Sequence, residues 1–216
     1  MQELTTIQLL IVLAPPLLLA ITLHEVAHGW MALRCGDPTA QSQGRLSLNP
    51  LRHIDPIGTV LVPGLLAVFG GFIFGWAKPV PVDFHRLRQP KRDMALVAMA
   101  GPGANLIMAL GWALVAAIGH GVLGGAAGWG APLLLMGGYG VTINVMLAVL
   151  NMLPIPPLDG SRVLVGILPD RYGQLMARVE PYGLIILVAL LAFGLFNILM
   201  PIVIGIRHFI LSLFLL

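Results

Sequence analysis

The chain has 216 residues, of which 58% are hydrophobic and 10% are charged, and its mean hydropathy is +0.93. Soluble domains carry about a quarter charged residues, so this composition excludes a soluble protein and predicts an integral membrane protein in a lipid bilayer. The formal net charge of +3 is not accompanied by a basic, aromatic-rich soluble surface, which excludes a nucleic-acid partner. The single cysteine, Cys35, excludes an intramolecular disulfide and any Cys-x-x-Cys motif.

The first apolar segment, residues 7–33, is predicted to be a transmembrane helix that ends in a metal-binding motif. His24 and His28 are four residues apart, so on a helix both imidazoles lie on one face and reach one ion. Glu25 stands beside the first ligand, where a carboxylate can accept a proton from a water on the metal. A structural cluster at a helix end is the alternative. It is disfavoured because residues 7–23 contain no charge, and ionisable groups at the edge of such a segment are usually functional.

Further along the chain, polar loops alternate with apolar segments. Residues 57–77 are apolar but interrupted by a proline and several glycines, which disfavours a plain spanning helix there. Small residues explain the glycines of the next apolar segment as packing positions, but they do not explain its Asn105. The last apolar stretch is longer than one span requires, and we expect a second, shorter helix that turns near Pro201. The predicted helical regions after the first are residues 94–119, 131–153 and 182–216.

A third metal ligand is expected because a catalytic zinc usually takes three protein ligands and keeps an open position for water. Asp159 is the best candidate, since it follows the helix at 131–153 and stands beside prolines that must unwind the backbone. For Asp159 to meet His24 and His28, the two helices must end at the same membrane face. Residues 57–77 should therefore enter and leave the membrane on one side, as a re-entrant segment.

The positive charges test this arrangement independently. With a re-entrant segment, 11 of the 12 Lys and Arg residues lie on one side of the membrane, in the polar loops at residues 34–56, 78–92 and 162–180. The connector at residues 120–130, on the other side, has none. The positive-inside rule then makes the shared side cytoplasmic, and it predicts a metal site toward the cytoplasmic leaflet.

Two motifs, in this order and spacing, resemble the site-2 protease family of intramembrane zinc metalloproteases. His24-Glu25-Val26-Ala27-His28 resembles the ligand helix of that family, and Asn151-x-x-Pro154-x-Pro156-x-x-Asp159-Gly160 is similar to its second signature. The resemblance covers most of the chain, from the first helix through Arg162. Three shorter stretches resemble the short bacterial branch without a PDZ domain: Gly101-Pro102-x-x-Asn105, Asn49-Pro50 and Phe74-Gly75-Trp76-Ala77-Lys78-Pro79-Val80.

The resemblance implies a single membrane-embedded metalloprotease domain over residues 1–216, in a bacterial inner membrane. Its fold would be an all-α polytopic membrane protein of about five to six membrane segments, with a small re-entrant, membrane-embedded β-hairpin or sheet at residues 57–77 beside the substrate path. One Zn²⁺ per chain would be held by His24, His28 and Asp159, and Asn151 would face the site.

We therefore predict zinc-dependent hydrolysis of peptide bonds in or near the transmembrane segments of protein or peptide substrates. Glu25 would act as general base and acid, and Asn151 would donate a hydrogen bond to the oxyanion. The alternatives are a membrane metal carrier and a catalytically inactive zinc-binding membrane protein. A carrier needs no general base, so Glu25 separates the protease from the carrier.

His53, Asp55 and Asn105 are possible substrate-contacting or accessory residues. In the structural interpretation, Asp55 caps the turn before Pro56 and His53 bonds to a loop carbonyl. In the functional interpretation, one of the two contacts the substrate or enters the metal site in a resting form.

Overall fold

The computed structural model describes residues 4–61, 65, 77–121, 130–214 and 216. Within these ranges all regular structure is helical. The α-helices, numbered here in chain order, are α1 (Thr6–Arg34), α2 (Thr39–Ser42), α3 (Pro90–Gly121), α4 (Ala131–Asn151), α5 (Asp159–Ile167), α6 (Asp170–Val179), α7 (Gly183–Ala192) and α8 (Leu195–Ser212).

Among the described residues, five helical stretches are long and apolar enough to cross a membrane. They are α1, α3, α4, the stretch Asp170–Ala192 that contains α6 and α7, and α8. The prediction of an α-helical polytopic membrane protein is confirmed at this level. The segment expected to be a polar loop at residues 162–180 is instead largely helical, and its second half belongs to the fourth of these stretches.

Helix α1 is one continuous helix that carries the whole histidine motif. Thr5 and Gln8 form a capping box at its start, with the Gln8 amide donating to Thr5 Oγ1 over 3.3 Å and the Thr5 amide donating to Gln8 Oε1 over 2.9 Å. The helix continues through Pro15 and Pro16 and ends at Arg34, so the prolines do not break it. The spacing of the two histidines is therefore a true helical spacing.

Helix α3 begins four residues earlier than the predicted start at residue 94. The Asp93 carboxylate accepts the backbone N–H of Gln89 over 2.9 Å, and Pro90 supplies the first helical residue, a position where proline is well tolerated. Lys91 is therefore helical, and its ammonium group lies 2.8 Å from the Asp170 carboxylate. This ion pair joins the start of α3 to the start of α6.

The chain leaves α1 and enters α3 at the same end of the helical bundle. The Arg88 amide donates to Cys35 O over 3.0 Å, and the Asp83 amide donates to the buried Asp37 carboxylate over 2.7 Å. Closer to the apolar segment between them, the Lys78 amide donates to His53 O over 2.9 Å. Both flanks of residues 57–77 therefore lie together.

The β-hairpin predicted at residues 57–77 falls mainly on residues 62–64 and 66–76, which are outside the described residues. The part that is described does not form a strand, because Pro56–Leu61 is a π-helical turn. Asp55 explains this local structure, since its carboxylate accepts the amides of Ile57 and Gly58 over 3.0 Å and 2.7 Å.

Helices α3 and α4 pack closely around a core of small and β-branched side chains, to which α8 contributes. Small residues let transmembrane helices approach closely, and here they place the polar face of α3 against α1 and α4. The buried members of this core are Ala109, Ala113, Val141, Val145, Val203 and Ile210.

The C-terminal region forms two helices, but the turn between them lies at Gly194 and the expected turn near Pro201 is wrong. Gly194 has a φ of +91°, a left-handed conformation that glycine adopts without steric cost and that ends α7. Pro201 instead lies inside α8. A proline in a helix removes one backbone donor, which does not by itself reverse the chain.

Candidate metal centre

The structure brings together the three residues predicted as metal ligands. His24 and His28 lie on one face of α1, with their Nε2 atoms 3.0 Å apart. Asp159, the first residue of α5, places Oδ2 3.2 Å from His24 Nε2 and 3.3 Å from His28 Nε2. They form the His/Cys/Asp/Glu group with metal-binding spacing within the part of the chain that the structure describes.

The tautomers of both histidines follow from the partners of their other ring nitrogens. His28 Nδ1 lies 2.7 Å from Val97 O, a carbonyl that can only accept, so Nδ1 carries the proton. His24 Nδ1 lies 2.6 Å from Asn105 Oδ1. The Asn105 amide nitrogen is occupied by two other oxygens, so its oxygen faces His24 and Nδ1 again donates. In the neutral rings, both Nε2 atoms therefore present lone pairs.

These residues fit a zinc ion. Two imidazole lone pairs and a carboxylate oxygen converge in a buried site, and Asp159 Oδ2 receives no hydrogen bond there. Three electron-pair donors with no proton between them repel one another unless a cation lies between them. Two imidazoles and one carboxylate are a ligand set that catalytic zinc uses, with a further position left for water.

The side of the site nearest α3 is formed by Gly101, where the α3 backbone approaches the histidine rings. A Cβ atom at this position would clash with His28 Nε2 and would lie 2.6 Å from His24 Cε1 and His28 Cε1. Real Cβ contacts essentially never fall below 3.0 Å. Only glycine therefore fits between this part of α3 and the two rings.

Glu25, the predicted general base, is held by a backbone donor from a distant loop. Its Oε2 atom accepts the Val80 N–H over 2.7 Å. Val80 stands between Pro79 and Pro81, which have no N–H, so it supplies the single amide donor of this tripeptide. The Val80 side chain is buried against α1 at Gly29. The loop that contains Val80 thus holds the Glu25 carboxylate in place.

The predicted residues Asn151, His53 and Asp55 make hydrogen bonds to nearby backbone groups. Asn151 lies at the end of α4, and its amide nitrogen donates to Leu147 O of the same helix over 3.0 Å. His53 Nε2 donates to Ser47 O over 2.9 Å, and Asp55 accepts the turn amides described above. His53 and Asp55 therefore make the hydrogen bonds of the structural interpretation.

Asn144 is a buried polar residue beside the site that sequence reasoning missed. It lies inside α4, it is fully buried, and its Oδ1 accepts from Asn105 Nδ2 over 3.0 Å. An asparagine in the interior of a mostly apolar spanning helix was the available signal, because polar groups at that depth are costly unless they find partners. The Val80 amide carries no such signal, since a backbone donor cannot be recognised from residue type.

The fold and the site together define a class of protein. A polytopic helical bundle buries two histidines beside a partly buried aspartate with converging lone pairs, and a glutamate lies next to the first histidine. This is the arrangement of a membrane-embedded metallohydrolase.

Comparison with known proteins identifies the family. Residues 121–194 match Peptidase family M50. The chain is 37% identical over 175 residues to "Putative zinc metalloprotease YwhC" of Bacillus subtilis (strain 168), covering 81% of this chain and 77% of that protein. It is 31% identical over 179 residues to "Putative zinc metalloprotease Rip2" of Mycolicibacterium smegmatis (strain ATCC 700084 / mc(2)155), covering 81% of this chain and 64% of that protein. No solved structure matches the chain significantly.

The chain belongs to Peptidase family M50, the site-2 protease family. Its function is that of an intramembrane zinc metalloprotease, and the metal-carrier alternative is not favoured.

Proposed function

We propose that this chain binds one zinc ion through His24, His28 and Asp159 and hydrolyses peptide bonds of transmembrane substrates at the cytoplasmic side of a bacterial inner membrane. The observation that carries the proposal is the convergence of two Nε2 lone pairs on Asp159 Oδ2 within 3.3 Å. Both Nδ1 atoms already have oxygen partners, so in the neutral rings both Nε2 lone pairs face the carboxylate oxygen, an arrangement that a bound cation stabilises.

Bound zinc would supply Lewis acidity, which polarises the scissile carbonyl and makes water a stronger acid. Glu25 takes a proton from the attacking water, and when the carbon–nitrogen bond breaks it gives that proton to the leaving amine. The Val80 N–H holds one carboxylate oxygen of Glu25, so the other oxygen is the one that exchanges the proton. This contact orients the base before substrate arrives, which lowers the cost of reaching the reactive geometry.

Asn151 is the proposed donor to the oxyanion that forms on the scissile carbonyl. Its amide nitrogen now donates to Leu147 O, so the side chain must exchange that bond for one to the substrate. Removal of one oxyanion donor commonly costs about 100-fold or more in turnover. Asn151→Ala should therefore lower turnover by such a factor while zinc content stays unchanged, and loss of zinc in this variant would contradict the assignment.

The cytoplasmic placement is supported by the gathering of positive loops at the metal-bearing end of the bundle. Arg45 donates to Lys78 O over 2.9 Å, and Arg162 stacks over the Phe84 ring at 5.3 Å. With the Lys91–Asp170 ion pair, these contacts join the three positively charged segments, at residues 34–56, 78–92 and 162–180, at one end. The positive-inside rule assigns such an end to the cytoplasm.

The substrate must present an extended segment, because a transmembrane helix hides its carbonyls in its own hydrogen bonds. We propose that the substrate adds as a strand to the hairpin predicted at residues 57–77, in the part that follows the π-helical turn at Pro56–Leu61. The Val80 amide, which follows this segment, already donates to Glu25 and is therefore not free to pair with the substrate strand.

The central test is Glu25→Gln, with Glu180→Gln as a matched control because Glu180 is an exposed glutamate at the end of α6. Glu25→Gln should abolish cleavage and leave zinc bound, and membrane proteins that accumulate in cells carrying this variant are the candidate substrates. Glu180→Gln should change neither property. Full cleavage by purified Glu25→Gln protein would rule out the proposed base.

A further inference from the structure

We propose that Asn144 is a positioning residue for the metal centre, acting through Asn105 on the His24 imidazole and thereby tuning zinc affinity. The inference rests on the proposed zinc site. Asn144 lies on α4 and does not itself touch a ligand atom. The orientation of His24 should depend on the side chains of Asn105 and Asn144, whereas that of His28 should not.

A chain of hydrogen bonds carries the inference. Asn144 Nδ2 donates to Gly140 O over 2.9 Å, and Asn105 Nδ2 donates to Asn144 Oδ1 over 3.0 Å. His24 Nδ1 then donates to Asn105 Oδ1 over 2.6 Å. Both asparagines have no exposed surface, so bulk water does not compete for the hydrogen bonds between them.

The hydrogen bonds from Asn144 to His24 have a single consistent donor-to-acceptor direction. Because the Asn144 nitrogen is bonded to Gly140 O, its oxygen must face Asn105. The Asn105 amide nitrogen must therefore face Asn144 Oδ1, and it also donates to Ala20 O over 3.3 Å. The Asn105 oxygen is then left to accept from His24. A rotation of either amide would place two donors or two acceptors against each other. Asn144 therefore selects the Asn105 orientation that keeps the proton on His24 Nδ1 and leaves Nε2 for the metal.

His28 provides the internal comparison. Its Nδ1 donates directly to Val97 O, a backbone carbonyl of α3, so no side-chain substitution changes the chemistry of that partner. The two histidines thus have different supports, one built from two amide side chains and one from the backbone. Partners of this kind typically change metal affinity 10–100-fold when they are removed.

Thr142 supplies a matched control on the same helix. Its hydroxyl donates to Gly138 O over 2.9 Å, the same four-residue bond that Asn144 makes, but it faces Arg207 and not Asn105. Thr142→Val therefore removes a comparable polar group from α4 without touching the chain to His24. Asn144→Ser is the complementary variant, since a short hydroxyl can keep a bond to Gly140 O, as Thr142 does, but cannot reach Asn105.

The experiment measures the zinc dissociation constant of the purified full chain by competition with a chromophoric chelator, and the visible absorption of the Co²⁺-substituted protein. Asn144→Ala and Asn144→Ser should weaken zinc binding about 10–100-fold and alter the Co²⁺ spectrum. Thr142→Val should change zinc affinity by less than about twofold. Thermal unfolding of the zinc-free proteins reports folding separately, and Asn144→Ser keeps the test informative if Asn144→Ala does not fold.

A double-substitution cycle decides whether Asn144 acts through Asn105. If it does, Asn144→Ser should have little further effect on zinc affinity in the Asn105→Ala background. An undiminished effect in that background, or wild-type zinc affinity in Asn144→Ser, overturns the proposal. Failure of the zinc site itself is distinguishable, because Asp159→Ala would then bind zinc as tightly as the wild-type chain.

Discussion

Gly101→Ala is predicted to disable the metal centre by adding a single methyl group. The new Cβ would lie 2.6 Å from His24 Cε1 and His28 Cε1, whereas ordinary van der Waals contacts of Cβ atoms begin at 3.4 Å. The rings, or α3 as a whole, must then move by about 0.8 Å, which is several times the ±0.2 Å that metal–ligand distances tolerate. Displacements near 1 Å in a preorganised site can lower a reaction rate about 100-fold. We expect zinc affinity to fall by at least that factor, because the displaced groups are the ligands themselves.

The backbone effect of the same substitution has the opposite sign. Alanine is more favourable than glycine inside a helix by about 0.5–1 kcal/mol, so loss of zinc cannot be attributed to a weaker α3. Gly103→Ala is the matched control, because it lies two residues away on α3 and its Cβ would meet nothing within 4 Å. It should be slightly more stable than wild type and bind zinc normally.

The assay combines chelator competition with thermal unfolding in the presence and absence of zinc. Wild type and Gly103→Ala should be stabilised by zinc, as expected for a ligand that binds the folded state, whereas Gly101→Ala should show little zinc-dependent stabilisation. If Gly101→Ala binds zinc as tightly as Gly103→Ala, then the rings do not depend on the close approach of α3 and the argument from this contact is refuted.

The remaining predictions concern the ligand, the base, the loop and the topology. Asp159→Ala should lose most bound zinc, measured by metal analysis, since three ligands leave little redundancy; unchanged zinc would remove Asp159 from the site. Val80→Pro should lower turnover without releasing zinc while Val80→Ala, which keeps the N–H, retains more activity; equal losses would indicate packing alone. Burial favours the neutral form of Asp37, but hydrogen bonds from Thr39 and from the Asp83 amide outweigh this effect and hold the pKa of Asp37 below its ordinary 3.8. The ionised carboxylate therefore stabilises the fold above pH 3.8, and this contribution is lost as the pH falls through the lowered pKa. Asp37→Asn should flatten that part of the curve of unfolding free energy against pH. Cysteines introduced at Gln43 and at Gly121 should be labelled from opposite sides of the membrane, and labelling from one side would contradict the proposed topology.

The histidine motif was predictable because it depends only on local geometry. In a continuous helix, residues four apart share a face, so the spacing of His24 and His28 is sufficient to bring their imidazoles together. Asp159 required a further step, since its meeting with the histidines depends on which membrane face each segment reaches. The distribution of Lys and Arg residues carried that information, because it records membrane orientation in the composition of the loops.

The supports of the site were not predictable in the same way. Asn144, Gly101 and the Val80 amide contribute through contacts with residues at least 39 positions away along the chain. Residue type does not show which of 26 glycines lies against an imidazole, or which backbone amide faces a carboxylate. The turn at Gly194 was missed for a related reason, since Pro201 is the stronger breaker by type but a helix can accommodate it when its surroundings stabilise the remaining bonds.

The sequence by itself determined the membrane class, the histidine-bearing helix and the residue types of the candidate metal site, because these follow from hydropathy, helical periodicity and the chemistry of side chains acting over a few residues. Tertiary structure alone decided how α3 approaches the rings, how Asn144 and Asn105 orient His24, and how the loop at Val80 holds Glu25. Those arrangements depend on helix packing, in which small residues permit close approach and buried polar groups must find partners from other helices, so their geometry exists only once the bundle has formed.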